Sequence, residues 1–276
     1  MFNVPSFYGF RSNSGVSFDA DYQAVLDYAT TQGYTLPSAG QQTLQNQLVV
    51  DLKDAGVWSK LDTFAVFATD GDSDFALIDW IRLTQFTAFN SPTFTTNKGY
   101  STDGSSSYIN TNYNFATDSN YYTQNDAGIF IAFSEMNTSA KSGDAFCGTL
   151  TTSRFTTIRV DQNTLTSANR LWLNQSAQSN AMFNSKGDNH IYFGNRTSST
   201  NINSRTTQLS TSTTNTQTAT QSSVALTSDT LALLRWSSGY MDSSHKMSFF
   251  GLSSNLSSTE MDDVCTAYYT NYYTNL

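Results

Sequence analysis

The sequence predicts a mainly β protein: an antiparallel, jelly-roll-like β-sandwich, preceded by a small helical hairpin plus β-hairpin segment. Aromatic residues make up 14% of the chain, with 19 Phe and 15 Tyr, and these together with Thr favour strands. Short apolar runs bounded by polar turns recur after Ser91-Pro92, at Ile129 to Phe133, Phe155 to Val160, Leu171 to Leu173, Ile191 to Phe193 and Met247 to Leu252, the pattern of an antiparallel sandwich. Helical periodicity is confined to the segments before Leu83 and to the C-terminus.

The first helix starts at Asp19. Tyr22, Val25, Leu26 and Ala29 fall on one face, and Gly33 stands where a terminating glycine belongs. A second helix opens with Ser38 and Gln41 in capping-box spacing, carries Leu44, Leu48 and Leu52 on one stripe and stops near Gly56. The apolar runs Phe64 to Ala68 and Phe75 to Ile81 flank Asp70-Gly71-Asp72-Ser73-Asp74, and Asp-Gly predicts a β-hairpin turn between them. The Thr/Ser/Asn/Gln-rich stretch from Thr197 to Ser223 predicts a long exposed loop or protruding hairpin. A closing helix follows Ser257 and Glu260, again in capping-box spacing, with Met261, Val264, Cys265, Tyr268 and Tyr272 on one face.

The domain reading is an arm over 1–17, the helical and β-hairpin segment over 18–90, and the sandwich with its C-terminal helix over 91–276. The arm carries Phe2, Phe7, Tyr8 and Phe10 around Pro5 and Gly9. Such rings bury too little among themselves and call for a partner surface, so the arm is read as an anchor, with an edge strand of the chain's own sheet as the equal alternative.

A net charge of −8 with only 14 Lys and Arg argues against a phosphate-backbone partner. No run approaches the roughly 20 apolar residues of a membrane-spanning helix. Met1 to Phe10 lacks the basic and apolar regions of a signal peptide, so release by lysis rather than secretion is expected. Cys147 and Cys265 read as small buried hydrophobes.

Gly99 to Asn112, His190 to Arg196 and Phe249 to Tyr272 resemble the opening strand pair, a central strand, and the last strand with closing helix of the concanavalin A-like (laminin-G-like) lectin sandwiches found in bacteriophage structural proteins. The resemblance spans roughly Ser91 to Leu276; a weaker one links Phe18 to Leu83 with a module that precedes such sandwiches. It implies a virion structural protein, exposed on a phage particle as a head fibre, spike or capsid decoration, docked on other virion proteins by its arm and self-associating, most plausibly as a trimer. A receptor-recognition lectin that binds host surface glycan is the alternative, with a glycoside hydrolase as the third and least favoured reading.

No enzyme is expected. Glycosidases need paired carboxylates, usually Glu in this sandwich, and Glu135 and Glu260 are the only Glu. His190 and His245 are the only histidines, and no nucleophile elbow accompanies them. Sugar binding needs an aromatic platform beside amides and a cation, which selects Arg170, Trp172 and Asn174 on one predicted strand and His190 and Tyr192 on another, provided those strands are neighbours. Trp58, Trp80 and Trp236 are expected in the core. Asp70, Asp72 and Asp74 alternate around a glycine turn and form a candidate Ca²⁺ site, although the distal Glu ligand of the full loop is missing. No other cofactor is implied.

Overall fold

The computed structural model describes residues 17–136, 145–149, 155–160, 169–176, 181–183, 189–236, 239–240 and 243–276. The proposed anchoring residues Phe2, Phe7, Tyr8 and Phe10 lie outside them.

The chain is mainly β, and its strands form an antiparallel sandwich. The first, eight-stranded sheet runs Thr213–Thr220, Asn201–Gln208, His190–Arg196, Ala127–Glu135, Lys246–Ser253, Gly99–Ser101, Thr93–Thr95, with Leu61–Val66 also paired to Lys246–Ser253. The second, seven-stranded sheet runs Ala181–Phe183, Asn169–Gln175, Phe155–Val160, Ala145–Thr149, Thr230–Leu233, Tyr108–Asn114, Thr87–Phe89.

Strand alternation divides the core into two layers. Along Ala127–Glu135, Ile129, Ile131 and Phe133 face the second sheet, while Phe130 and Ala132 face a layer of helices. Both faces of this strand are covered, which is why its sequence is apolar almost throughout. Gly251 keeps the helix-side layer closed: a Cβ there would stand 2.2 Å from the Phe130 ring.

The helices are α1 (Ala20–Gln32), α2 (Ala39–Asp54) and α3 (Ser258–Cys265). Asp19 caps α1 by accepting from Asp21 N, and Gly33 ends it at φ 79°. Tyr22, Val25, Leu26 and Ala29 are buried as their spacing predicts. α3 has both halves of its capping box and runs on as a π-helical stretch, Thr266–Tyr272. Tyr268 stacks on Phe249 at 4.1 Å between ring centroids and donates to Ser248 Oγ at 2.6 Å, which fastens the C-terminus to the first sheet.

The structure departs from the sequence reading around Asp70. No hairpin joins Phe64–Ala68 to Phe75–Ile81. Leu61–Val66 pairs instead with Lys246–Ser253, Phe75–Leu77 is a turn of 3-10 helix, and the segment's hairpin is the short pair Ile78–Asp79 with Thr84–Gln85. The physical reason is that the carboxylates of the turn bind backbone outside it. Asp70 Oδ1 accepts from Ser38 N at 3.0 Å, and Asp72 accepts from Thr35 N at 2.6 Å and Phe75 N at 2.8 Å. The stretch from Thr197 to Ser223 is a protruding hairpin, with Asn201–Gln208 and Thr213–Thr220 paired in unbroken register and the second strand exposed along the sheet edge.

Candidate functional site

The anticipated sugar platform does not assemble. Arg170, Trp172 and Asn174 belong to the second sheet, His190 and Tyr192 to the first. Trp172 is 2% exposed and stacks on Trp236 with an interplanar angle of 6°. The Asn174 amide is consumed internally: it accepts from Tyr122 OH and Thr156 Oγ1 and donates to the carbonyls of Thr123 and Gln124. Tyr192 is fully buried between the sheets, with its hydroxyl directed at Met136 Sδ. Alternation on a strand fixes which side a residue faces and leaves open whether that side meets solvent.

The candidate Ca²⁺ ligands do not converge either. Asp70 and Asp72 accept from the backbone donors named above, and Asp74 accepts from Gln85 Nε2 at 2.9 Å. Among the described residues no group of three His, Cys, Asp or Glu side chains is placed to hold a metal.

The structure brings together a different set. A cavity of about 270 Å³ opens beside the first turn of α1, lined by Asp21, Trp58, Ser59, Leu61, Trp80, Ile81 and Tyr121. Leu61 and Trp80, 1% and 2% exposed, form its floor, and Tyr121, 48% exposed, is its outer wall. Trp58 follows α2 and is held edge-on against Phe64, while its Nε1 donates to Asp21 Oδ2 at 2.9 Å. Trp80 packs against Phe64 and Tyr22, and its buried Nε1 has no hydrogen-bond partner among the described residues, a costly state for an indole donor.

Two buried carboxylates set these walls. Asp62, 2% exposed, accepts from Asn120 N, Tyr121 N, Tyr122 N and Tyr113 OH at 2.7 to 3.1 Å. Asp79, fully buried, accepts from Ile81 N at 3.0 Å and from Arg82 Nε and Thr63 Oγ1 at 2.6 Å. The pocket is therefore preorganised by groups that do not line it.

Its electrostatics are set by Asp21. Lys53 Nζ lies 2.6 Å from both Asp21 Oδ2 and Asp19 Oδ1. Burial pushes the Asp19 carboxyl up, but the Lys53 hydrogen bond and the Asp21 N–H more than offset this and hold it below the usual carboxylate range. Asp21 Oδ1 bonds none of the described residues, and the side chain is 49% exposed. The pocket thus offers a half-exposed aromatic ring and a carboxylate acceptor, which suit a pyranose: one apolar face and a directional hydroxyl partner.

A second cavity, of about 200 Å³, lies between the protruding hairpin and the start of α3, lined in part by Asn195, Arg205 and Met261. Its cation is already engaged: Arg205 binds the Asp262 carboxylate, Ser258 O and the hydroxyls of Thr207 and Thr214.

The sequence expected Trp58 and Trp80 in the core and did not single out Tyr121 or Asp21. The one available signal was the half-polar setting of Trp58, in Val57-Trp58-Ser59-Lys60.

No family model matches the chain, and no curated protein does. Among solved structures the chain is similar to domain 4 of AbnA, a GH43 extracellular arabinanase from Geobacillus stearothermophilus in complex with arabinotriose, at 11% identity and TM-score 0.46, over 74% of this chain and 98% of that one. It is similar to Trypanosoma rangeli sialidase at 11% identity and TM-score 0.48, over 84% of this chain and 40% of that one. It is also similar to arcelin-5, a lectin-like defense protein from Phaseolus vulgaris, at 10% identity and TM-score 0.30, over 63% and 88%.

The expectation that the chain is no enzyme is withdrawn, because it leaned on the scarcity of Glu. The physical reason is that Asp serves as well as Glu in either glycosidase role. The chain holds 22 acidic residues of which two are Glu, so scarcity of Glu excludes nothing.

Proposed function

We propose that this chain is a carbohydrate-recognition protein, a lectin-like sandwich that receives one sugar residue in the pocket between Trp58, Trp80 and Tyr121. The observation that carries the reading is the half-exposed Tyr121 ring beside the Asp21 carboxylate on one cavity, with Trp58 and Trp80 also lining it. The ring covers the apolar face of the sugar, and Asp21 receives a hydroxyl. A glycan array followed by calorimetry on its hits tests this. Tyr121→Ala should weaken binding about tenfold, the scale of one lost aromatic contact. Failure of every glycan, or an unchanged affinity in Tyr121→Ala, removes the reading. Turnover of a bound glycan would add a reaction to it.

A second reading places the chain on the outside of a phage particle as a self-associating fibre, spike or decoration. It is favoured by the strand Thr213–Thr220, which is exposed, uncharged and free of proline, and so lacks the usual protection of a sheet edge against a neighbouring subunit. Light scattering tests the association: oligomers that Thr216→Lys and Thr218→Lys dissociate support it, and a monomer at high concentration removes it. Antibody labelling of particles tests the location.

A further inference from the structure

We propose that the Trp58–Trp80–Tyr121 pocket selects uncharged sugars and rejects acidic ones such as uronic or sialic acids, a proposal that rests on the carbohydrate reading above. Asp21 is the one charged residue among those lining the cavity, and its side chain is 49% exposed. The cations nearby are held by carboxylates. Lys53 is one ammonium shared between two of them, Asp19 and Asp21, at 2.6 Å to each, and Lys60, beside the lining residue Ser59, holds Glu260 at 2.5 Å.

The selection rests on Asp21. Asp21 Oδ1 requires a donor, which a hydroxyl supplies and an ionised carboxylate does not. A sugar carboxylate placed here would be stripped of water with no cation to receive it and would face the Asp21 charge. Selectivity of this kind comes from the repulsive element as much as from the attractive one.

The test uses matched pairs that differ only in the carboxylate: methyl glucoside against methyl glucuronide and methyl galactoside against methyl galacturonide, titrated by NMR at 0.15 M salt. At that ionic strength the screening length of about 8 Å removes most of the influence of distant charges, so the readout is local. The neutral member should bind about tenfold more tightly. Asp21→Asn should narrow the ratio to about threefold or less, and Ser59→Asp, on the exposed rim, should widen it. The pair of variants moves the ratio in opposite directions, so a general loss of folding cannot imitate the result.

An acidic sugar that binds as tightly as its neutral partner overturns the selectivity while leaving the carbohydrate reading intact. A ratio unmoved by both variants does the same. Binding of none of the four glycosides overturns both.

Discussion

The Asp62 carboxylate receives the backbone N–H of Tyr121 on both of its oxygens, at 3.0 and 3.1 Å. A residue buried on the strand Leu61–Val66 thereby fixes the most exposed ring of the pocket. Replacing it with Asn should be expensive, because an amide offers one acceptor oxygen where the carboxylate offered two, and its NH2 meets the N–H of Asn120 in one orientation and that of Tyr122 in the other. The expected loss is about 3 kcal/mol, read as a fall in melting temperature of about 8 °C for a chain of this size. An Asp62→Asn chain that melts with the wild type would show that this network does not hold the loop.

Glu135 links strand and turn by accepting from Lys246 and Lys98. The Lys246 hydrogen bond first, then that of Lys98, hold its carboxyl below the usual carboxylate range. In the unfolded chain Glu135 takes up its proton at higher pH than in the folded one, so the stability it contributes is complete above about pH 4.5 and is lost as pH falls through the lower folded value. Denaturant midpoints between pH 6 and 3 should decline less steeply in Glu135→Gln than in the wild type. Parallel profiles would contradict this.

Burial pushes the Cys147 thiol up to about 12, and the residue is fully buried among the side chains between the sheets. The thiolate is the reactive form, so labelling of Cys147 by a disulfide reagent at pH 8 should proceed only as fast as the chain opens, and denaturant should accelerate it. Immediate labelling in the native protein would place Cys147 outside the sandwich.

Gly251→Ala should destabilise the chain by about 1–3 kcal/mol through overpacking, since the added methyl meets the Phe130 ring. Phe130→Leu in the same chain should recover part of the loss by vacating the space. Recovery separates a local clash from a general intolerance of Gly251 replacement.

The helices were legible because their signals are local. Asp19 and Gly33 bracket α1 within one short segment, and Ser257 with Glu260 form the box that starts α3. The hairpin expected across Asp70-Gly71 was misread for the opposite reason. The partner of Leu61–Val66 is Lys246–Ser253, at the other end of the sequence, and a turn motif carries no information about a distant strand. The pocket was illegible in the same way: Asp21, Trp58, Trp80 and Tyr121 share no periodicity. They meet because Asp62 and Asp79 each gather a separate piece of backbone. The platform chosen from Arg170, Trp172, Asn174, His190 and Tyr192 followed a correct strand alternation, but sequence does not say in which sheet a strand lies.

The most direct test of the account follows the indole N–H signals of the four tryptophans by ¹⁵N NMR while a sugar that binds is added. Trp58 Nε1, which donates to Asp21 on the cavity wall, should move furthest, and Trp80, on the same cavity, should move with it. The stacked pair Trp172, on the second sheet, and Trp236, on the short strand Arg235–Trp236, should stay in place. A sugar that shifts Trp172 and Trp236 and leaves Trp80 unmoved would contradict the assignment of the pocket.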